Sequence, residues 1–117
     1  MAYVDGYILA VRKDRLDDYK ALAATASVVW KEHGALAYAE CVAEDAPYGE
    51  LTSFPRAVMA RDDEVVVFSW IVFPDRASRD AINAKVMADP RLACDPDAMP
   101  VDGKRMIFGG FEPFILV

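Results

Sequence analysis

The pattern of apolar and polar positions along the chain predicts four strands and two helices. Short stretches rich in β-branched and aromatic residues predict strands at residues 2–12, 36–44, 63–73 and 104–116. Between the first two strands, apolar residues recur at helical spacing from Leu16 to Trp30. Between the last two, Ile82 and Val86 mark the buried face of a second helix.

Residues typical of helix ends bound both predicted helices. Asp14 is the expected N-cap of the first helix, and Gly34 is the expected end, because glycine readily adopts the left-handed conformation found there. Asp75 is the expected N-cap of the second helix. That helix is expected to run to about Asp89, just before Pro90.

The order of elements, β-α-β-β-α-β, predicts an α+β fold of the ferredoxin-like type. With right-handed crossovers, the strands form a four-stranded antiparallel sheet that carries both helices on one face. A chain of 117 residues fits one such domain, spanning residues 1–117.

The strands are apolar on both faces, which is unusual for a sheet covered on one side only. In the third strand, one face carries Val65, Val67, Ser69, Ile71 and Phe73, and the other carries Val66, Phe68, Trp70 and Val72. Because two helices cover a single face, the economical cover for the second face is a second copy of the chain in a closed homodimer. The alternative is that long loops fold over this face.

Two predicted connections, residues 46–62 and 90–103, exceed the usual loop length. Both contain apolar residues, so we expect them to pack rather than to move freely. They either pack against the dimer partner or line a pocket.

Charge and composition exclude several classes of partner. The chain has 13 basic and 19 acidic residues and a net charge of −6, which disfavours nucleic acid and anionic membranes as partners. No apolar run is long enough to span a membrane, and the first residues do not resemble a signal peptide, so a cytoplasmic location is expected. Cys41 and Cys94 are then expected to be free thiols.

Two residues are candidates for acid–base catalysis. His33 is the only histidine, the residue type most often used for acid–base catalysis, although a histidine at a helix C-terminus also serves as a capping or packing group. Glu40, on the second strand, could act as a base if it faces an apolar interior, or could lie solvated at the sheet edge. No ligand spacing for a metal is present, so neither a metal site nor a cofactor is predicted.

Aromatic residues are the candidates for ligand binding. Trp30, Trp70 and Phe108, together with Phe68 and Phe111, could line a pocket for a flat apolar molecule, although aromatic residues in a small core need no such role. Asn83 lies beside the buried face of the second helix, where its amide requires a hydrogen-bond partner, and it is included as a ligand-binding candidate.

Several segments together resemble a known bacterial family. They are YVDGY, VWKEHGAL, PYGELTSFP, DEVVVFSWIVFPDR, NAKVMADPR and DGKRMIFGGFE. They are similar to domain of unknown function 1428, the YbaA-like proteins, from Tyr3 to about Phe114. The resemblance implies a ferredoxin-like fold in the dimeric α+β barrel superfamily, in which two sheets pack face to face. It implies no established activity. Distant members of that superfamily include cofactor-free monooxygenases, lactone isomerases, haem enzymes and binding proteins.

Three functional hypotheses follow. The first is a homodimer that binds a small apolar or aromatic molecule. The second is a cofactor-free monooxygenase or isomerase of the dimeric α+β barrel type, using His33 and Glu40. The third is a structural or protein-interaction module.

Overall fold

The structure, a computed structural model, describes all residues, 1–117. Its elements are β1 (Tyr3–Arg12), α1 (Leu16–His33), β2 (Ala37–Val42), α2 (Phe54–Ala57), β3 (Glu64–Phe73), α3 (Arg76–Met87) and β4 (Ile107–Phe111). Short 3₁₀ turns lie at Lys13–Arg15, Pro90–Leu92 and Pro96–Ala98. No helix combines the length and the apolar character needed to cross a bilayer.

The four strands form one antiparallel sheet in the order β2-β3-β1-β4. The central strands β1 and β3 pair along their whole length, from Tyr3 opposite Phe73 to Arg12 opposite Glu64. Strand β2 is one edge and β4 is the other. The predicted ferredoxin-like α+β fold is therefore confirmed.

Three of the four predicted helix ends are confirmed or close. The α1 helix ends at Gly34, whose φ of 117° lies in the left-handed region that favours glycine. The Asp75 side chain accepts a hydrogen bond from Ser78 N at 2.7 Å and caps α3, which ends at Met87. The N-cap predicted at Asp14 is wrong. Asp14 lies in the preceding 3₁₀ turn, where it pairs with Arg12.

The last strand is much shorter than predicted. It spans only Ile107–Phe111, not residues 104–116. Lys104 and Arg105 belong to a turn in which Arg105 N donates to Asp102 O. Pro113 has no N–H to donate to a ladder, and the residues after it, Phe114 among them, project from the sheet largely exposed.

The core lies between the sheet and the two long helices. At one end Val29 of α1 and Val86 of α3 pack on Ile71 and Phe73 of β3. At the other end Tyr19 and Ala23 of α1 pack on strand residues Leu9, Val11 and Val67. Both long helices therefore cover the same face of the sheet, which we call the helix-covered face.

The opposite face of the sheet is only partly covered. Val58, the residue after the short helix α2, packs on Ala10 and Val66 at one end of this face. Phe54 of α2 contacts the neighbouring Phe68, with 5.9 Å between the ring centroids. Beyond that patch Phe68 is exposed by 40% and Phe111 by 62%, and Trp70 and Val72 are half-buried. The loop thus covers one end, and the helices leave the rest of this second face, here called the open face, without cover.

Candidate ligand-binding site

A row of side chains crosses the helix-covered face at the middle of the sheet. The strand register places Phe108, Tyr7, Ser69 and Glu40 side by side on β4, β1, β3 and β2. Ser69 is buried, and the rings of Tyr7 and Phe108 stack at 6.3 Å between centroids. This row places polar groups between the sheet and the helices.

Glu40 is held by two phenols at the β2 end of the row. Tyr19 of α1 donates to Glu40 Oε1 at 2.7 Å, and Tyr38 of β2 donates to Glu40 Oε2 at 2.6 Å. Because Tyr38 and Glu40 are two residues apart on one strand, their side chains share a face. Tyr19 reaches the same carboxylate from the first turns of the helix above.

These three residues form part of the wall of a groove between α1 and β2. The groove has a volume of about 400 Å³ and is open to solvent along the sheet edge. Its remaining walls are mainly small and apolar, and they include Ala23, Ala24, Val42 and Val67. We call it the α1–β2 groove.

All three tyrosines of this region stay neutral over the physiological pH range. Burial is the main cause that raises the pKa of Tyr19 and of Tyr38 far above that of a free phenol, and the hydrogen bond to Glu40 raises both further. Burial also raises the pKa of Tyr7 to about 12, and the charge of Asp5 adds to the effect. The phenols around Glu40 therefore act as hydrogen-bond donors.

A second polar cluster lies between β1 and α3. Trp30 Nε1 donates to Asn83 Oδ1 at 3.0 Å, and Asn83 Nδ2 donates to Asp5 Oδ2 at 3.2 Å. The other oxygen of Asp5 lies 3.2 Å from Arg79 Nε, an ion pair that lacks the alignment of a hydrogen bond. Arg79 also stacks over the ring of Tyr3. This cluster joins both helices to the sheet and leaves Asn83 occupied by protein partners.

His33 lies away from these clusters, at the C-terminal end of α1. Its Nε2 is 3.3 Å from Asp89 Oδ2. Asp89 also binds Arg91, whose hydrogen bonds hold the pKa of this carboxyl well below its usual range. The contact ties the end of α1 to the segment after α3, and an acid–base role for His33 stays a prediction.

The structure distributes the predicted ligand-binding residues over both faces. Trp30 and Asn83 are in contact on the helix-covered face, and Phe108 lies on the same face at the β4 edge. Trp70 lies on the open face, where its ring packs against Phe68 at 5.6 Å between centroids. The candidates therefore do not surround one common pocket.

Tyr19 and Tyr38 are absent from the residues proposed from sequence, although they line the groove. The spacing of Tyr38 and Glu40 on a strand could have identified one of them, since alternate residues share a face. Tyr19 lies on the buried stripe of α1, and only the register between helix and strand brings it to Glu40.

Comparison with known proteins places this architecture in a family. The sequence profile of a family described as "Protein of unknown function (DUF1428)" matches residues 2–103. The chain belongs to the DUF1428 family. It is 51% identical over 115 residues to the "Uncharacterized protein YbaA" of Escherichia coli (strain K12), with 98% of each chain covered.

Solved structures of low sequence identity share the fold of this DUF1428 chain. A dimeric ferredoxin-like protein from an uncultured marine organism matches all of both chains with a TM-score of 0.62 and 14% identity. SnoaB, a cofactor-independent oxygenase from Streptomyces nogalater, matches 99% of this chain and 96% of its own with a TM-score of 0.60 and 12% identity. At these identities the likeness is one of fold alone.

Proposed function

We propose that this DUF1428 protein binds a small molecule with an apolar or aromatic body in the α1–β2 groove. The observation that carries the proposal is the groove itself, which has a volume of about 400 Å³. That volume lies within the roughly 300–1,000 Å³ of known small-molecule sites. Apolar walls around a few fixed polar groups are also typical of such sites.

The polar end of the groove is fixed before any ligand arrives. Hydrogen bonds from Tyr19 and Tyr38 hold both oxygens of Glu40 in place. Each carboxylate oxygen has a further lone pair that can accept a hydrogen bond from a ligand. A fixed acceptor reduces the entropy lost on binding, which supports a binding role for Glu40.

The proposal is tested by filling the groove from an exposed position. Ala24 is exposed on α1 and lines the groove, so Ala24→Trp places an indole in it without disturbing the core. Ala21→Trp is the matched control, because Ala21 is exposed on the same helix and is not part of the groove wall.

The measurement is a fragment screen by two-dimensional NMR on the native chain and both variants. We expect aromatic fragments to shift the amide signals of residues around the groove in the native chain and in Ala21→Trp. In Ala24→Trp these shifts are expected to disappear. Fragment binding that is identical in the two variants would place the ligand site elsewhere.

We further propose that the protein is a homodimer that buries the open faces of two copies against each other. Support comes from the exposed apolar side chains of this face, with Ile107 exposed by 42%, Phe68 by 40% and Phe111 by 62%. A monomer rarely leaves a continuous apolar surface of this kind in water. The marine protein of the same fold is described as dimeric, which adds support from a second direction.

Sedimentation equilibrium of the native chain, Phe68→Glu and Val28→Glu tests the dimer. Val28 is also an exposed apolar residue, but it lies on α1 and serves as the matched control. We expect a dimer for the native chain and for Val28→Glu, and a monomer for Phe68→Glu. A native chain that is monomeric at about micromolar concentration, where a specific interface of ordinary affinity is populated, contradicts the proposal.

A further inference from the structure

Only four acidic residues of the chain are buried or half-buried, and three of them have an arginine partner. They are Asp5 with Arg79 at 3.2 Å, Glu64 with Arg105 at 2.6 Å, Asp89 with Arg91 at 2.8 Å, and Glu40. Glu40 alone forms no ion pair, and its side-chain hydrogen bonds come from two neutral phenols. Every other carboxylate without a cationic partner is exposed, where water solvates its charge.

A partly buried charge without a counter-ion is unusual, because removal from water costs free energy that an opposite charge normally offsets. The two phenols offset part of this cost through hydrogen bonds. They contribute no charge, since burial and the bond to Glu40 keep both of them protonated. The wall of the groove therefore carries one carboxylate to which no cationic side chain is bound.

From this arrangement we infer that the ligand of the α1–β2 groove is an organic cation, an amine with an apolar or aromatic body. Its ammonium group donates to the free lone pairs of Glu40. Its body packs on the apolar wall at Ala23 and Val67. Tyr19 and Tyr38 line the same groove, and aromatic rings attract cations. The inference rests on the groove being the ligand site, as proposed above.

Lys20 is the one cationic side chain on the wall of the groove. It is exposed and forms no ion pair with Glu40. A ligand amine therefore has to compete with a flexible lysine at the entrance rather than displace an arginine already bound. The same residue offers a second test, because its removal makes the groove more negative.

Three probes of nearly equal shape and different charge separate a cation site from a general apolar site. Phenethylamine is positive, 2-phenylethanol is neutral and 3-phenylpropanoate is negative at neutral pH. Binding is measured by NMR titration of the full-length protein, following the amide signals of groove residues such as Ala24 and Val42. We expect phenethylamine to bind about tenfold more tightly than the alcohol, because charge-assisted hydrogen bonds are about twice as strong as neutral ones. The propanoate is expected to bind least.

Two substitutions assign the charge effect to Glu40. Glu40→Gln keeps the size and an acceptor for a phenol, so we expect it to fold, to bind phenethylamine about tenfold more weakly and to leave the alcohol unchanged. Lys20→Met is expected to tighten phenethylamine binding about twofold, because it removes an exposed positive charge that repels the ammonium group. Added salt should weaken the binding of the amine and leave the binding of the alcohol unchanged.

The outcomes separate the inference from the proposal on which it rests. If all three probes shift the groove signals with equal affinity, or the propanoate binds best, the cation inference is wrong and the groove remains a ligand site. If amine binding is the same in Glu40→Gln, the inference is also wrong. If none of the probes shifts groove signals at about 10 mM, a concentration above the Kd of a specific site, both the inference and the proposed function fail.

Discussion

Arg105 and Glu64 form a bidentate ion pair that is almost closed to solvent. Arg105 Nη1 and Nη2 donate to the two oxygens of Glu64 at 2.8 and 2.6 Å, and their side chains are only 10% and 3% exposed. Arg105 also binds Asp102 and the Met59 carbonyl. The pair fastens the turn before β4 to the start of β3 and to the end of the loop that carries α2.

Removing one partner of this pair is expected to cost much more than removing an exposed ion pair. Arg105→Met leaves the Glu64 carboxylate buried without its ion-pair partner, with only the Arg61 backbone N–H still bound to it. We expect the free energy of unfolding to fall by about 3 kcal/mol. The exposed pair of Arg12 and Asp14 gives the control, since Arg12→Ala should cost less than about 0.5 kcal/mol. Urea denaturation measures both. Equal losses in the two variants would contradict a structural role for Arg105.

The same pair makes stability depend on pH in the acid range. Hydrogen bonds from Arg105 lower the pKa of Glu64 from 4.5 to about 2. A carboxyl whose pKa is lower in the folded chain stabilises the fold above its unfolded pKa, and this stabilisation is lost as pH falls from about 4.5 towards 2.

Glu64→Gln removes this titration, so the stability difference between native chain and variant should be largest near neutral pH. We expect the difference to shrink on acidification by up to about 3 kcal/mol, as for a shift of two to three pKa units. Urea unfolding at a series of pH values measures it. Parallel curves for the two chains would show that Glu64 makes no such contribution.

Asn83 joins Trp30 of α1 to the buried carboxylate of Asp5, although it was predicted as a ligand-binding residue. Asn83→Leu removes both hydrogen bonds and should destabilise the fold by about 2 kcal/mol, because two buried polar groups lose their partner. Ala84→Leu, at the exposed next position of α3, should change stability by less than about 0.5 kcal/mol.

The Trp30 indole N–H provides a local readout for the same variant. Its NMR signal should move and exchange faster with solvent in Asn83→Leu and stay unchanged in Ala84→Leu. An unchanged indole signal in Asn83→Leu would mean that the hydrogen bond between Trp30 and Asn83 is not formed in solution.

The sequence predicts the fold well because the signals that define it are local. Alternation and β-branched residues identify β1 and β3, and Asp75 and Gly34 mark helix ends through capping chemistry that depends on near neighbours alone. The prediction for β4 fails because the length of a strand also depends on non-local pairing. The apolar residues after Pro113 resemble a strand, but a strand also requires a partner. In the structure β4 pairs with β1 only at the five positions from Val4 to Ile8.

The candidate site is predicted less well because it depends on contacts between distant segments. Glu40 is recognised from its strand, whereas Tyr19 reaches it from 21 positions away through the packing of α1 on the sheet. Alternation assigns Trp70 to one face of the third strand, but it does not say which face of that strand the helix with Trp30 covers. No periodicity within a single element contains that information.

Gly110 on β4 lies too close to Tyr3 and Arg79 to accept a side chain without movement. A Cβ at Gly110 would lie 2.6 Å from Tyr3 Cε2, and closer still to the Tyr3 hydroxyl and the Arg79 guanidinium. Gly110→Ala therefore has to shift the end of the Arg79 guanidinium and the Tyr3 ring, and we expect a loss of about 1–2 kcal/mol. Gly109→Ala is the matched control on the same strand, because its Cβ would meet Phe111 at an ordinary 3.7 Å.

The control should be neutral or stabilising by less than about 1 kcal/mol, since alanine restricts the unfolded chain. Thermal and urea unfolding of the two variants measure the difference. Equal stability in both would mean that Tyr3 and Arg79 move aside at little cost. In that case the stacking of Arg79 on Tyr3 contributes little to the fold, and the other contacts of α3 account for its position on the sheet.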